Sequence, residues 1–231
     1  MNVRKPPSTA APGSSLTLPP ACPKPFAPPP PRGSTRPVTS LILHTVCGLD
    51  ELPDHGARGV SHVLSILDPD RADPEAFAAY GVHHRTTLRF HDAVEPAPGV
   101  ILPERKDVEA ILSFGRAVAR ETARDNAGEA HILVHCHVGI SRSTAALAML
   151  FAQGEPDTPA DTLIGRLHAQ REKAWPNARM IAFADESLGR GGSLNEAVRH
   201  LHALQLRKRP HLDGLMRGLG RGAEIDAALR G

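Results

Sequence analysis

The sequence predicts an α/β fold with a central, mostly parallel sheet flanked by helices. Two observations lead to this prediction: short apolar runs alternate with helical periodicity from residue 38 onward, and the pattern after residue 142 is helical throughout. Strands that alternate with helices are typical of parallel sheets, because each helix returns the chain to the edge where the next strand begins. Hydrophobic residues make up 41% of the 231 residues, enough for a packed core over most of that length.

Four short apolar segments in the first half are candidate strands, namely residues 40–46, 62–67, 83–89 and 131–135. Helices are predicted near Pro74–Tyr80 and over Glu104–Asn126. In the second of these, apolar residues recur three and four positions apart, which is the spacing of one helix face. Gly115 falls on that face, so a neighbouring element can pack close to the backbone there.

The second half is predicted to contain helices over residues 143–153, 161–171, from 178 onward and 194–206. Asn177 is a good N-cap for the third of these helices and follows Pro176. The fourth ends in the basic run 207–209, which complements the negative end of a helix dipole and is more typical of a cap than of a binding patch.

The composition divides the chain into three parts. Residues 1–37 hold 12 of the 22 prolines, which predicts a disordered Pro-rich tail. Such a tail could dock a partner's aromatic-lined groove as a polyproline helix, although a solvated tail without a catalytic role is favoured. Residues 38–190 are predicted to form the main domain, and residues 191–231 a helical C-terminal extension.

Charge and cysteine usage exclude several classes of protein. The net charge is +2 with the 13 histidines neutral, too near balance to indicate a nucleic-acid or membrane partner. No apolar run approaches the ~20 residues of a membrane span, and no secretory signal is visible. Cys22, Cys47 and Cys136 are too widely spaced for a disulfide framework or a zinc pair. We therefore expect a reduced, cytoplasmic protein that needs no cofactor.

The segment from His131 to Thr144 contains most of the candidate functional residues. A short apolar strand runs into Cys136, five residues follow, and Arg142 then opens an Ala- and Leu-rich helix. A tight loop between strand and helix aims backbone N–H groups at an anion, and the helix dipole adds to the positive field. Gly139 permits backbone geometry that a side chain would obstruct. Arg142 can clasp two phosphate oxygens with its planar fork.

The same positive field favours the thiolate form of Cys136, which makes this residue a candidate nucleophile. Ser143 can donate a hydrogen bond to its sulfur and ease its departure, and His135 can brace the loop through backbone contacts. The loop residues His137, Val138, Gly139, Ile140 and Ser141, with Arg142, are the candidate phosphate-binding set. A metal site built from His135, Cys136 and His137 is disfavoured, since adjacent residues on a strand point to opposite sides.

The pattern His135-Cys136-x-x-Gly139-x-x-Arg142-Ser143 resembles the active-site loop of the protein tyrosine phosphatase superfamily, and its Ser141-Arg142-Ser143 ending is most similar to the dual-specificity branch. Weaker support over about residues 40–190 comes from the strand–helix alternation and from Pro176-Asn177 opening a late helix. The resemblance implies the cysteine-phosphatase fold and a phospho-cysteine intermediate. It also implies an upstream aspartate that protonates the leaving group.

Asp92 is the preferred general acid, because it ends a strand and opens a loop rich in Pro and Gly. It lies 44 residues before Cys136, farther than the resemblance leads us to expect, and an insertion over residues 95–103 would explain the excess. Asp107, 29 residues before Cys136, is the rival, although an acid in the first turn of a helix is usually a dipole partner. Glu95 is a distant third.

The leading hypothesis is thus a phosphatase acting on phosphoproteins or small phosphate monoesters. Phosphotyrosine is expected, with or without phosphoserine and phosphothreonine. The loop contains no Lys, which disfavours phosphoinositides, whereas a nucleotide or RNA 5′-phosphate stays open as a substrate. The alternatives are a non-catalytic phospho-residue binding module of the same fold and a rhodanese-like sulfur carrier, which would not need Arg142 followed by Ser143.

Overall fold

The computed structural model describes residues 1–2, 41–124 and 129–230, so the predicted Pro-rich tail lies almost entirely outside the described residues. The four predicted strands are present as β1 Leu41–Cys47, β2 His62–Leu67, β3 His84–Arg89 and β4 Glu129–His135. They form one sheet in the order β1-β4-β2-β3, and every neighbouring pair is parallel. The predicted α/β class with a parallel sheet is therefore confirmed.

Seven α-helices accompany the sheet among the described residues. Their bounds are α1 Arg105–Arg124, α2 Arg142–Gly154, α3 Ala160–Gln170, α4 Ala178–Ser187, α5 Ser193–Lys208, α6 Leu212–Gly218 and α7 Gly222–Leu229. The segment predicted as a helix near residues 74–80 is instead a single 3-10 turn, Glu75–Ala79, and a second such turn covers Leu52–His55. None of the described helices is long and apolar enough to cross a membrane.

The central strands β2 and β4 are buried along nearly their whole length, as continuous apolar runs in a parallel sheet require. Helix α2 is buried on every side and lies in the main core between the sheet and its neighbouring helices. It approaches α1 at Gly115, where an added Cβ would lie 2.7 Å from a Leu150 methyl group. The close packing expected at Gly115 is thereby confirmed.

The C-terminal helices pack onto the rest of the fold. Helix α5 contributes Leu194, Ala197, Val198 and Leu201 to the main core. Helices α6 and α7 form a smaller cluster around Trp175, to which Met216 and Ile225 belong. The boundary that we place at residue 190 stays a prediction.

Candidate active site

The loop that joins β4 to α2 carries the candidate nucleophile. Cys136 directly follows β4, and Arg142 is the first residue of α2. The Sγ of Cys136 lies 3.2 Å from the Oγ of Ser143, so the predicted contact between these two groups is present. Both residues are almost fully buried, and Cys136 lines a cleft. The sulfur therefore has one hydroxyl neighbour placed to stabilise negative charge on it.

Arg171, at the end of α3, donates hydrogen bonds to two carbonyl groups of this loop. Its Nε donates to the carbonyl of Gly139 at 3.0 Å, and its Nη2 donates to the carbonyl of Val138 at 2.8 Å. The remaining nitrogen, Nη1, pairs with Glu51 at 2.6 Å, which holds the guanidinium in place. The same ion pair holds the pKa of Glu51 below its usual range. The orientation of two consecutive peptide groups is thus fixed by a charged side chain behind the loop.

Backbone groups fix the peptides on either side. The amide of Leu49 donates to the carbonyl of His137 at 2.9 Å, and the amide of Trp175 donates to the carbonyl of Ile140 at 2.9 Å. In a planar trans peptide the N–H points opposite to the C=O. With four carbonyls turned outward, the N–H groups of residues 138–141 face the cleft. Within the described ranges none of these four has a protein acceptor. Such a row of inward amides is suited to binding an anion.

Glycine is required at one position of this loop. Gly139 has a φ of +73°, which L side chains rarely adopt, and a Cβ there would lie 2.5 Å from the carbonyl carbon of Cys47. The loop therefore packs directly on the end of β1, as its conformation demands. Gly48 faces the same contact from the other side, since its Cβ would lie 2.9 Å from the carbonyl carbon of Val138.

Among the described residues, only one of the three guanidinium nitrogens of Arg142 has hydrogen-bond partners. Its Nη1 donates to the Oδ1 of Asp68 at 2.6 Å and to the carbonyl of Phe90 at 2.5 Å. Its Nε is buried without a hydrogen-bond partner, and Nη2 has none among the described residues. Arginine can use the edge formed by Nε and Nη2 to donate two parallel hydrogen bonds to the oxygens of a phosphoryl group. Asp68 thus anchors the guanidinium and leaves its binding edge open.

Asp92 lies in the same cleft, just beyond the end of β3. Three donors reach its Oδ1: the hydroxyl of Ser141 at 2.7 Å, the Nδ2 of Asn177 at 3.0 Å and the Nη1 of Arg221 at 3.3 Å. In the part of the chain that the structure describes, no donor contacts Oδ2. The carboxyl group is therefore held by one oxygen, and the other is available to a substrate.

Arg221 approaches this site from the start of α7. It is buried, and its guanidinium makes a two-point ion pair with Glu224, at 2.7 Å and 2.8 Å. Burial acts to lower its pKa, but the negative charges of Asp92 and Glu224 outweigh this and raise it. Glu224 also accepts hydrogen bonds from the indole Nε1 of Trp175 and the amide of Ala178, both at 2.8 Å. All three guanidinium nitrogens of Arg221 and both carboxylate oxygens of Glu224 are hydrogen-bonded, so the geometry of this pair is well defined.

His135 and His137 lie on either side of the nucleophile. The Nε2 of His135 is 2.7 Å from the Oγ of Ser65 in β2, and its Nδ1 is 3.4 Å from the carbonyl of Cys136. Burial lowers the pKa of His135 to about 4, so the ring is neutral at neutral pH and supports the loop by hydrogen bonding. His137 contacts Asp68, and burial together with Arg142 lowers its pKa as well.

The other candidates lie elsewhere. The carboxylate of Asp107 accepts a hydrogen bond from the amide of Glu104 at 2.8 Å, which is a capping contact at the start of α1, and it does not line the cleft. Glu95 is exposed and does not line it either. Burial raises the pKa of Cys47 to about 12, as in an inert packed thiol. No group of three His, Cys, Asp or Glu side chains within the described ranges is arranged to hold a metal ion.

Sequence reasoning missed three residues of the site: Asp68, Arg171 and Arg221. Asp68 directly follows β2, and the carboxyl edge of a parallel sheet is where functional residues collect, so this signal could have identified it. Arg171 and Arg221 lie 35 and 85 positions after Cys136 and belong to no local pattern. Their roles depend on how the helices pack.

No protein-family model matches the chain, and no curated protein sequence matches it. Among solved structures, it is similar to human DUSP28, with 13% identity and a TM-score of 0.47 over 67% of this chain and 94% of that one. Similarity to a mouse putative dual specificity phosphatase is 16% identity and a TM-score of 0.45, over 74% and 98%. For Tk-PTP in the active form the values are 15% and 0.45, over 66% and 95%.

Proposed function

We propose that this chain is a cysteine-dependent phosphatase that hydrolyses phosphate monoesters through a phospho-cysteine intermediate at Cys136. One observation carries the proposal: the Cys136 sulfur, a row of inward amides and the unpartnered edge of Arg142 meet in one cleft. A buried guanidinium edge without a partner is costly unless a ligand occupies it. A phosphoryl group matches this set of donors in charge and in geometry.

In the first step the Cys136 thiolate attacks phosphorus. The S–P bond forms while the ester P–O bond breaks, and the leaving oxygen takes a proton from Asp92, so the alcohol or phenol departs neutral. Arg142 and the amides of residues 138–141 bind the phosphoryl oxygens and neutralise the charge of the transition state. The free Oδ2 of Asp92 is the oxygen that carries the transferred proton.

In the second step water attacks the phospho-cysteine. Asp92 now accepts a proton from this water while the S–P bond breaks, which releases inorganic phosphate and the Cys136 thiolate. Ser143 stabilises the departing sulfur through its hydroxyl, 3.2 Å away. Proton and charge balance are complete without a metal, and the protein's own cations supply the electrostatic stabilisation.

The substrate is a phosphorylated protein or a small phosphate monoester. Phosphotyrosine fits the proposal, with or without phosphoserine and phosphothreonine, and nucleic acid is not an expected partner. A catalytic thiol needs a reducing compartment, so we place the activity in the cytoplasm. Residues 38–190 would form the phosphatase domain, with residues 1–37 as a tail and 191–231 as an extension that reaches the site through Arg221.

The test is turnover of p-nitrophenyl phosphate in EDTA by the purified chain, beside Cys136→Ser and with vanadate titrated in. We expect metal-independent turnover that disappears in Cys136→Ser and is blocked by vanadate. A folded protein that shows no turnover but retains phosphotyrosine peptides would support the non-catalytic binding module instead. Thiosulfate turnover would point to the sulfur carrier.

A further inference from the structure

The cleft above Cys136 is much larger than the phosphate-binding loop at its floor. Its volume is about 840 Å³, within the range of roughly 300–1,000 Å³ that is typical of pockets for drug-sized ligands. The loop and Arg142 account for only part of its lining. Residues of helix α6 and of the turn that follows it, Leu212, Leu215, Met216 and Leu219, also line the cleft. A phosphoryl group would fill only the part of the cleft beside the loop, so a different part of a ligand must fill the part beside α6.

Three exposed apolar side chains, Val138, Leu215 and Leu219, line this cleft, and we name them the apolar wall. They are 63%, 53% and 62% exposed. Nine large apolar side chains of the described residues are this exposed, so a third of them lie in one cleft. Single exposed apolar residues are ordinary, but a cluster beside a polar site indicates a binding surface.

Helix α6 is packed against the rest of the fold, so the exposure of the apolar wall does not result from an unpacked helix. Helix α6 is anchored through Met216, which is 7% exposed and packs in the cluster of Trp175 and Ile225. Arg217 joins α6 to α7 through Asp226 at 2.7 Å. The fold thus secures the helix by other residues, and the apolar wall is left free for a ligand.

We propose that the apolar wall binds the leaving group of the substrate, and that the substrates are phosphate monoesters with an apolar aryl or alkyl body. This inference rests on the proposed function. Val138 belongs to the phosphate-binding loop itself, so apolar contact begins two residues from the nucleophile. When the S–P bond forms and the P–O bond breaks, the protonated alcohol or phenol is released from this wall.

The experiment compares phenyl phosphate with 4-butylphenyl phosphate on the full chain. A para-alkyl group hardly changes the acidity of the phenol, so the two esters differ mainly in four methylene groups. Each fully buried methylene is worth roughly a factor of four. We therefore expect kcat/KM for the butyl ester to exceed that for the phenyl ester by roughly 10- to 100-fold.

Substitutions in the apolar wall test whether it causes the preference for the butyl ester. The double substitution Leu215→Ala with Leu219→Ala should reduce the butyl-to-phenyl ratio by roughly fivefold or more. Leu229→Ala is the matched control, because Leu229 is 62% exposed like Leu219 but lies outside the cleft. It should leave both rates unchanged. A ratio near one in the wild type, or the same ratio in the double variant, would overturn the proposal.

A binding measurement separates this inference from the proposed function. Calorimetry with Cys136→Ser should show tighter binding of the butyl ester than of the phenyl ester, and the preference should be lost when Leu215 and Leu219 are also changed to Ala. Preferential binding without turnover in the wild type would uphold the wall and reject the catalytic mechanism. Equal binding of both esters would reject the wall. Phosphotyrosine peptides with Leu or Ser beside the phosphotyrosine then show whether a peptide can supply the apolar group.

Discussion

The Nη1 of Arg221 lies 2.7 Å from the Oγ of Ser141, which precedes it by 80 positions in the chain. The hydroxyl of Ser141 in turn donates to Asp92 at 2.7 Å. A residue of the C-terminal segment, a residue of the phosphate-binding loop and the candidate acid are therefore joined by consecutive hydrogen bonds. The position of the candidate acid therefore depends in part on Arg221 at the start of α7, a helix that begins 79 positions after Ser143.

Asp92→Asn tests the acid. For phenyl phosphate, whose leaving group needs a proton, we expect kcat to fall by on the order of 10²-fold. For p-nitrophenyl phosphate the loss should be much smaller, because its phenolate leaves readily without a proton. Steady-state kinetics on both esters measures the difference. Asp107→Asn is the control and should keep both rates, and a large loss in that variant instead would transfer the role to Asp107.

Arg221 is expected to position the acid without touching the substrate. Changing Arg221 alone would leave the Glu224 carboxylate buried and unpaired, at a cost of about 3–5 kcal/mol in stability. The informative variant is therefore Arg221→Gln combined with Glu224→Gln, which removes both charges together. We expect kcat for phenyl phosphate to fall by about tenfold or more, and kcat for p-nitrophenyl phosphate to change less.

Arg217→Gln is the control for that pair, since Arg217 belongs to the same segment but is exposed and forms ion pairs with Asp213 and Asp226, away from Asp92. It should keep the ratio of the two rates. A merely structural role for Arg221 would reduce both rates equally and leave their ratio unchanged. Circular dichroism and thermal unfolding confirm that each variant is folded before its rates are compared.

Two glycine substitutions should change stability in opposite directions. Gly139→Ala introduces a Cβ 2.5 Å from the carbonyl carbon of Cys47 at a φ of +73°, so the loop must shift. We expect lower stability and a vanadate affinity reduced by about tenfold or more. Gly165→Ala lies inside α3, where a Cβ meets no atom within 4 Å. It should stabilise the protein by about 0.5–1 kcal/mol and leave vanadate binding intact.

Chemical denaturation and vanadate titration of the two glycine variants test this pair directly. If Gly139→Ala bound vanadate as tightly as the wild type, the loop geometry would not depend on the missing side chain. A loss of stability in Gly165→Ala would mean that the helix contacts a neighbour there.

Stability should fall on mild acidification. Burial lowers the pKa of His44, His135 and His202 to about 4, against 6.5 in the unfolded chain. Between these values the unfolded chain binds protons that the native protein does not, so acid favours unfolding. The free energy of unfolding is therefore highest above about pH 6.5 and decreases as the pH falls towards 4. Urea unfolding at a series of pH values measures this slope.

His44→Phe should flatten the curve, since one of the three imidazoles with a lowered pKa is removed and an aromatic ring that can keep the edge-to-face contact with Phe151 replaces it. Proton uptake on unfolding, followed in weakly buffered solution, should fall by about one proton near pH 5. Equal slopes in the variant and the wild type would show that His44 is not held neutral in the native protein.

The sheet and the nucleophile loop could be predicted from the sequence because both are encoded by neighbouring residues. Buried parallel strands appear as continuous apolar runs, so β2 was predicted with the bounds that the structure has. From Cys136 to Ser143, one loop brings its own residues together. The segment before β3 was wrongly predicted as a helix, since the five residues of the 3-10 turn are too few for an apolar face to distinguish the two.

The other residues of the site are close in space but far apart in the sequence, so their positions in the sequence do not predict that they meet. Asp92 and Asp107 were both compatible with the motif, and hydrogen bonds from Ser141 and Asn177 hold Asp92 in the cleft. Arg171 and Arg221 could not be identified, because each reaches the site through a helix whose own pattern only indicates a buried face. The apolar wall could not be predicted either. The sequence does not distinguish a leucine that faces the cleft from one that faces solvent elsewhere.

The place of Arg221 in the chain has a consequence for biosynthesis. On the ribosome, residues up to α2 emerge first, and N-terminal structure generally forms before C-terminal structure. A growing chain therefore presents Cys136 and Arg142 well before α7 can dock and hold Asp92. In the proposed mechanism, the nascent protein can bind phosphate but cannot yet protonate a leaving group efficiently. In that mechanism, full activity begins only when α7 has been released and has packed against the site, so proton transfer to the leaving group is acquired later than phosphate binding.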